Sequence, residues 1–225
     1  MDRSRRFFLA GSAGFGVALA PLSARPLSAW AAADLVSTPL LDMGPFYPVQ
    51  KPIEQDADLT RLAGHSDRAK GQLLELTGRV LRRNGQPVGG ARVEIWQANA
   101  AGRYSHPGDT HDAPLDPNFQ GYGVQATQAD GQFRFLTVKP GAYPGWGFLR
   151  SPHIHFDVSG KVDRLVTQMY LPGEPLLRQD KRLAYDLAAD GVDMTAPIFG
   201  VLKPGPAPSD PAAILCVFDI VLNEG

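Results

Sequence analysis

From Leu73 onward the chain alternates apolar and polar residues with a period of two, the spacing of strands that turn one face to a core. The runs are LLELTGRVL, ARVEIWQ, QFRFL, HIHFDV, LVTQMYL and ILCVFDIVL, with Phe133 and Phe135 set among polar neighbours in the third. Turn chemistry at Asn84-Gly85-Gln86-Pro87 predicts that the first two runs are strands joined by a tight connection, and Asp130-Gly131 punctuates the approach to the third. No helical period alternates with these runs; helix is expected only as a short piece near Asp58–Ala63 and over Lys181–Ala189. Short strands among frequent Gly and Pro turns predict an all-β fold, an antiparallel β-sandwich with long loops and little helix. The stretch Ala98–Gln125 has no strong period and reads as one of those loops, a length that in a compact domain usually carries function.

The run His153-Ile154-His155-Phe156 carries the chemistry. Residues i and i+2 of a strand share a face, so the two imidazoles point one way while Ile154 and Phe156 enter the core. Such a pair is a metal clamp short of its remaining ligands. Two phenols on nearby Gly/Pro-flanked loops can supply them, Tyr104 in QANAAGRYSH and Tyr143 in PGAYP. Phenolate is a hard donor suited to Fe(III), whereas structural zinc asks for cysteines and this chain has only Cys216. Asp157 continues the histidine face and offers a rival set, two histidines and a carboxylate around Fe(II). A third reading is a non-catalytic, exported metal carrier in which Met169 joins the histidines on copper. The other histidines read as surface groups, His65 in a polar stretch and His106 and His111 among Pro, Gly and Asp. Tyr122, Tyr170 and Tyr185 read as packing residues, and Cys216, inside ILCVFDIVL, as a buried core thiol.

The N-terminus divides the chain. Residues 1–33 read as a twin-arginine signal peptide: Ser4-Arg5-Arg6-Phe7-Phe8-Leu9, a Gly/Ala-rich apolar run too short to span a membrane, then small residues at Ala31–Ala33. Residues 34–72, with Gly44-Pro45, Pro48 and Pro52, form an arm over the core, and 73–225 the sandwich. Removing the signal takes away four arginines and one aspartate and moves the net charge from −1 to −4. A mildly acidic exported protein is unsuited to nucleic acid or, after cleavage, to an anionic membrane. The expected location is the periplasm or beyond, reached through the twin-arginine export machinery, which carries proteins already folded and loaded with metal.

The ordered motifs VEIWQANAAGRYSH, APLDPNFQGYG, DGQFRFLTVKPGAYP, RSPHIHF and LVTQMYLPGEP resemble the intradiol ring-cleavage dioxygenases, above all their protocatechuate-cleaving β chains, over roughly Leu73–Pro175. The resemblance implies non-haem Fe(III) held by Tyr104, Tyr143, His153 and His155, with Arg150 and Gln168 beside it in the pocket. It implies a small catechol-type substrate, O2 as co-substrate, a cis,cis-muconate-type diacid as product, and Tyr143 as the phenol that leaves iron to act as internal base. It leaves open a homo-oligomer or an α-type partner chain, between which the sequence does not decide. Gly145 stands where those β chains carry a bulky aromatic, and the segment from Tyr143 to His153 is shortened, which predicts a more open pocket.

Overall fold

The computed structural model describes residues 34–145, 147–187 and 195–224. The expected signal peptide lies outside them. Among the described residues no helix is long and apolar enough to cross a membrane.

Strand β1 (Leu73–Arg82) is the spine of the first sheet. Strand β4 (Gln132–Val138) pairs antiparallel along one stretch of it, from Leu73↔Val138 to Arg79↔Gln132. Strands β10 (Ile214–Val217) and β11 (Ile220–Leu222) run parallel to β1 and keep a single register, Leu74↔Ile214 and Val80↔Ile220, across a break at Phe218. Gly78 faces that break, where an added Cβ would collide with the Phe218 carbonyl oxygen, so only glycine lets the two backbones approach. Strand β9 (Val201–Lys203) pairs antiparallel with β10 at the edge. The C-terminal run thus enters parallel, because the chain crosses over before returning, and this sheet is mixed.

The second sheet is antiparallel throughout, in the order β3 (Tyr122–Ala126), β2 (Arg92–Trp96), β7 (His153–Ser159), β8 (Arg164–Tyr170). The turn after β1 forms as its sequence predicts, with Gly85 at φ +81° and the Val88 N–H donating to the Val80 carbonyl. It does not make a hairpin of β1 and β2. Both edges of β1 are already taken by β4 and by β10–β11, so β2 crosses to the other sheet. The expected loop up to Gln125 likewise ends early, at β3, which pairs Tyr122 with Trp96.

The core lies between the sheets: Leu74, Leu76, Val80, Phe133 and Phe135 from the first meet Val93, Ile95, Ile154, Phe156, Val158 and Met169 from the second. Each large side chain so buried contributes about 1.5–3 kcal/mol. On the opposite face of the second sheet, alternation presents Glu94, Trp96, His153, His155, Asp157, Gln168 and Tyr170, which are also buried. That face is roofed by the arm at Asp42–Pro48, by the Tyr104 loop, and by a small hairpin of β5 (Tyr143–Gly145) and β6 (Phe148–Arg150).

Helix is scarce. Helix α1 (Lys181–Asp186) matches the start of the expected one, whose end lies outside the described residues. The helix expected at Asp58–Ala63 is absent: Asp58 accepts from the N–H and hydroxyl of Thr60 and bridges Leu136, a local turn that competes with helix.

Candidate active site

Strand β7 aims both imidazoles at one point. The Nε2 atoms of His153 and His155 are 3.2 Å apart. His153 Nδ1 donates to the Ser151 carbonyl at 2.6 Å, a tautomer assigned from that bond, which leaves the Nε2 lone pair facing the site. His155 lies flat on the Trp96 indole, with ring centroids 4.9 Å apart and planes 8° from parallel. Burial, reinforced by the Arg150 charge, lowers the pKa of His153 far below its usual range and that of His155 to about 3. Both rings are therefore neutral and able to ligate at physiological pH.

The two loop tyrosines meet the histidines. The Tyr143 hydroxyl is 3.4 Å from His153 Nε2, and its ring packs edge-on against Tyr104 with centroids 5.1 Å apart. Tyr104 is fixed by its backbone, whose N–H donates at 2.7 Å to the buried Asp109 carboxylate, itself 2.6 Å from His111 Nδ1. The Tyr104 hydroxyl is buried and has no hydrogen-bond partner. Burial, then the neighbouring Tyr143 phenol, raises the Tyr104 pKa far above its usual value. Burial also raises that of Tyr143, with Arg150 opposing. Phe46 from the arm closes over both phenol rings, at 4.8 Å and 5.7 Å, and Gly44 abuts the His155 ring.

Arg150 and Gln168 are brought to the same place. Arg150 is wholly buried; its Nε donates to both oxygens of Asp180 at 3.1–3.2 Å, and its Nη2 donates to Gln168 Oε1 at 2.9 Å and to the Tyr170 hydroxyl at 2.6 Å. Burial alone would weaken the charge, but Tyr170, Tyr143 and Asp180 outweigh it and hold the guanidinium protonated. Gln168 Nε2 donates to the Asp42 carbonyl at 2.7 Å, tying the arm to this network.

The alternative ligand sets do not converge. Asp157 shares the histidine face but is spent on a two-pronged pair with Arg164 at 2.8 and 2.6 Å. Met169 points into the core, where its sulfur lies 3.9 Å from Cys216 Sγ. Among the described residues no three His, Cys, Asp or Glu side chains gather to hold a metal, so an ion at this point would need donors of another kind, and the two phenols are the nearest. Donors that share an ion at about 2.1 Å stand roughly 3.0–3.4 Å apart, the spacing seen across Tyr143, His153 and His155. Either His155 tautomer is unfavourable without a cation, one setting two lone pairs face to face and the other leaving the buried Nδ1 as an unpaired acceptor, and the buried Tyr104 hydroxyl is likewise without a hydrogen bond. Two hard oxygens with two imidazoles fit a trivalent ion well.

Several residues matter beyond those read from sequence. Trp96, Phe46, Asp109 and Asp180 also shape the site, and Tyr170, a packing residue by its pattern, carries a hydroxyl inside the Arg150 network. The signal for Asp180 was present, since an aspartate ahead of a helical run is an N-cap. Tyr185 is 78% exposed rather than packed, because it sits on the solvent side of the short α1. His65 is exposed, as expected, with Nδ1 2.8 Å from Asn118 Oδ1.

A family model described as "Dioxygenase" matches residues 43–196. The chain is 55% identical over 131 residues to the protocatechuate 3,4-dioxygenase beta chain of Burkholderia cepacia, covering 56% of this chain and 55% of that protein. It is 35% identical over 126 residues to the hydroxyquinol 1,2-dioxygenase of Rhizobium sp. (strain MTP-10005), covering 49% and 41%. The chain thus spans about half the length of these relatives. Among solved structures, the dioxygenase domain of a dioxygenase and carbohydrate-binding protein fusion from Streptomyces sp. SirexAA-E superposes with a TM-score of 0.62 at 27% identity, over 84% of this chain and all of that one. Hydroxyquinol 1,2-dioxygenase from Pseudomonas putida DLL-E4, at 23% identity, shares the fold with a TM-score of 0.63 over 84% of this chain and 67% of its own. With the family model covering most of the sandwich and the site built from the same ordered motifs, the chain belongs to the intradiol ring-cleavage dioxygenase family.

Proposed function

We propose that this chain is a non-haem Fe(III) intradiol dioxygenase that cleaves catechol-type aromatics, protocatechuate among them, with O2 to cis,cis-muconate-type diacids. The observation that carries the reading is the convergence of Tyr143, His153 and His155, whose buried donor atoms lie 3.2–3.4 Å apart, with the buried Tyr104 phenol packed against them, its ring 5.1 Å from that of Tyr143 and 6.3 Å from that of His155. Iron bound there would act as a Lewis acid that makes a chelated catechol reactive toward O2.

The residues of the chain have separate tasks. His153 and His155, held neutral, anchor the ion, and the Ser151 carbonyl and the Trp96 face fix the two ring planes. The phenols, whose pKa values burial raises, would ionise only when a cation binds, releasing their protons to solvent. Tyr143 sits on a three-residue strand paired to Arg150, and it is the phenol whose oxygen takes a proton from the incoming catechol. Arg150, fixed beside it, stabilises the negative charge that builds on the substrate in a water-poor site. Gln168 holds Arg150 and the arm in register. Phe46 and Tyr104 exclude water from the ring face.

The reading extends to location and organisation: residues 1–33 direct export by the twin-arginine route to the periplasm, 34–72 form the arm, and 73–225 the catalytic sandwich, completed by further copies or by an α-type chain. The carrier reading gains no support from Met169, which faces the core.

Oxygen uptake by iron-loaded protein with catechol, protocatechuate, hydroxyquinol and chlorocatechols, coupled to product identification, tests the proposal. A colourless muconate-type acid is expected. A yellow semialdehyde, or no uptake with any catechol, would overturn it.

A further inference from the structure

We propose that Asp180 is a positioning residue for ring cleavage, setting Arg150 and the His153 end of strand β7 with one carboxylate. The inference rests on the iron dioxygenase reading for its catalytic part and on geometry alone for its structural part. Asp180 is 1% exposed, and its two oxygens accept five hydrogen bonds from four N–H donors on three separate segments. Arg150 Nε, on β6, reaches both oxygens at 3.2 and 3.1 Å. The Ser151 N–H, on the link to β7, donates to Oδ2 at 2.8 Å. The N–H groups of Arg182 and Leu183, in the first turn of α1, donate to Oδ1 at 3.0 and 3.1 Å. An N-cap of a six-residue helix needs only the last two of these bonds.

The remaining bonds have a direction. Ser151 is the residue whose carbonyl accepts from His153 Nδ1, so the same carboxylate that holds its N–H fixes the peptide that selects the histidine tautomer. Arg150, pinned through Nε, has its Nη2 left to meet Gln168 and the Tyr170 hydroxyl. Tyr170 in turn lies against the His153 ring, with centroids 5.3 Å apart. Asp180 therefore hydrogen-bonds to none of the proposed ligands and acts through Arg150 and Ser151. Its negative charge also pairs with the buried guanidinium.

Asparagine at this position keeps the size and can still cap α1, but its amide N–H₂ opposes Arg150 Nε and the Ser151 N–H. Full-length wild type, Asp180→Asn and Asp180→Glu, with Asp186→Asn as a control that removes the other carboxylate of α1, should be loaded with iron, assayed and crystallised. In Asp180→Asn the Arg150 side chain is expected to leave Gln168 and Tyr170, kcat to fall about 100-fold with KM changed less than about threefold, and the tyrosinate-to-iron absorption band to shift. Asp180→Glu should recover part of the kcat, and Asp186→Asn should stay within about twofold of wild type. An unmoved Arg150, or an unchanged kcat in Asp180→Asn, would overturn the assignment. Should Asp180→Asn fail to fold, Asp180→Glu decides, because an extra methylene in a closed site must displace Arg150 and lower kcat, and wild-type kcat there overturns the proposal as well. A colourless, inactive wild type would instead reject the iron reading, and the crystallographic arm would still show whether Asp180 places Arg150 and Ser151.

Discussion

His153 and His155 hold their Nε2 atoms 3.2 Å apart at the centre of a closed aromatic cluster, with the Tyr143 hydroxyl 3.4 Å from the first. With His153 Nδ1 committed to Ser151, a proton on His155 Nε2 could serve the contact only by leaving the buried His155 Nδ1 as an unprotonated orphan. A proton on Nδ1 sets two lone pairs face to face. Either state is costly without a cation.

Iron content follows directly. Wild-type protein loaded in the cell should carry about one iron per chain, and His153→Ala or His155→Ala should carry less than a tenth of that, because Asp157, the next group on the same face, is locked to Arg164. Elemental analysis measures it; stoichiometric zinc or copper in the wild type would count against an Fe(III) site.

Acid should unfold the iron-free protein earlier than its composition suggests. The folded state depresses both histidine pKa values, that of His155 to about 3, while the unfolded chain titrates near 6.5. Below about pH 6.5 the unfolded state binds more protons, so stability present above that pH is lost as pH falls toward the folded values, at on the order of 1 kcal/mol per pH unit for each group. Thermal melts between pH 8 and 4 should show this slope, and His155→Gln should flatten it; equal slopes would contradict it.

The sandwich and the clamp were legible because both rest on the two-residue period: Ile154 and Phe156 inward require His153 and His155 outward. Pairing partners were less legible. Nothing local to ILCVFDIVL says that it runs parallel to β1, nor does the Asn84–Pro87 turn reveal that β1 has no free edge for β2. The histidine face follows from the period, but the residues that cover it do not, since Gly44 and Phe46 reach it from the arm and Trp96 from β2, both far from it in sequence. The sequence marks Asp180 only as a helix N-cap; its further partners, Arg150 and Ser151, lie 30 and 29 residues away.

The two phenols should differ in what their loss does. Tyr104 is held by its backbone N–H bond to Asp109, whereas Tyr143 sits on a short three-residue hairpin strand. Tyr143→Phe should therefore keep most of its iron, shift the charge-transfer band and lower kcat by about 10²–10³-fold. Tyr104→Phe should lose most of its iron. Equal iron loss in both variants, measured alongside the visible spectrum, would contradict this division.

Gly145 makes the sharpest test of how tightly the site is built. A Cβ added there would lie 3.1 Å from Arg150 Cγ and 3.2 Å from Tyr143 Cε2, closer than ordinary van der Waals contact. Arg150 cannot give way, being wholly buried and held by Asp180, Gln168 and Tyr170. The Tyr143 ring must move instead, by a few tenths of an ångström, and misplacement on that scale costs about tenfold in rate. Gly147, two residues on, gives the contrast: its Cβ would meet nothing within 4 Å, but its φ of +80° disfavours any side chain. Gly145→Ala should thus lower kcat about tenfold and shift the charge-transfer band with little change in Tm, while Gly147→Ala should cost about 1 kcal/mol of stability and leave the band in place. Steady-state kinetics, the visible spectrum and a thermal melt on both variants separate the two effects, and an unaltered kcat and band in Gly145→Ala would show that Tyr143 is not confined as its neighbours imply.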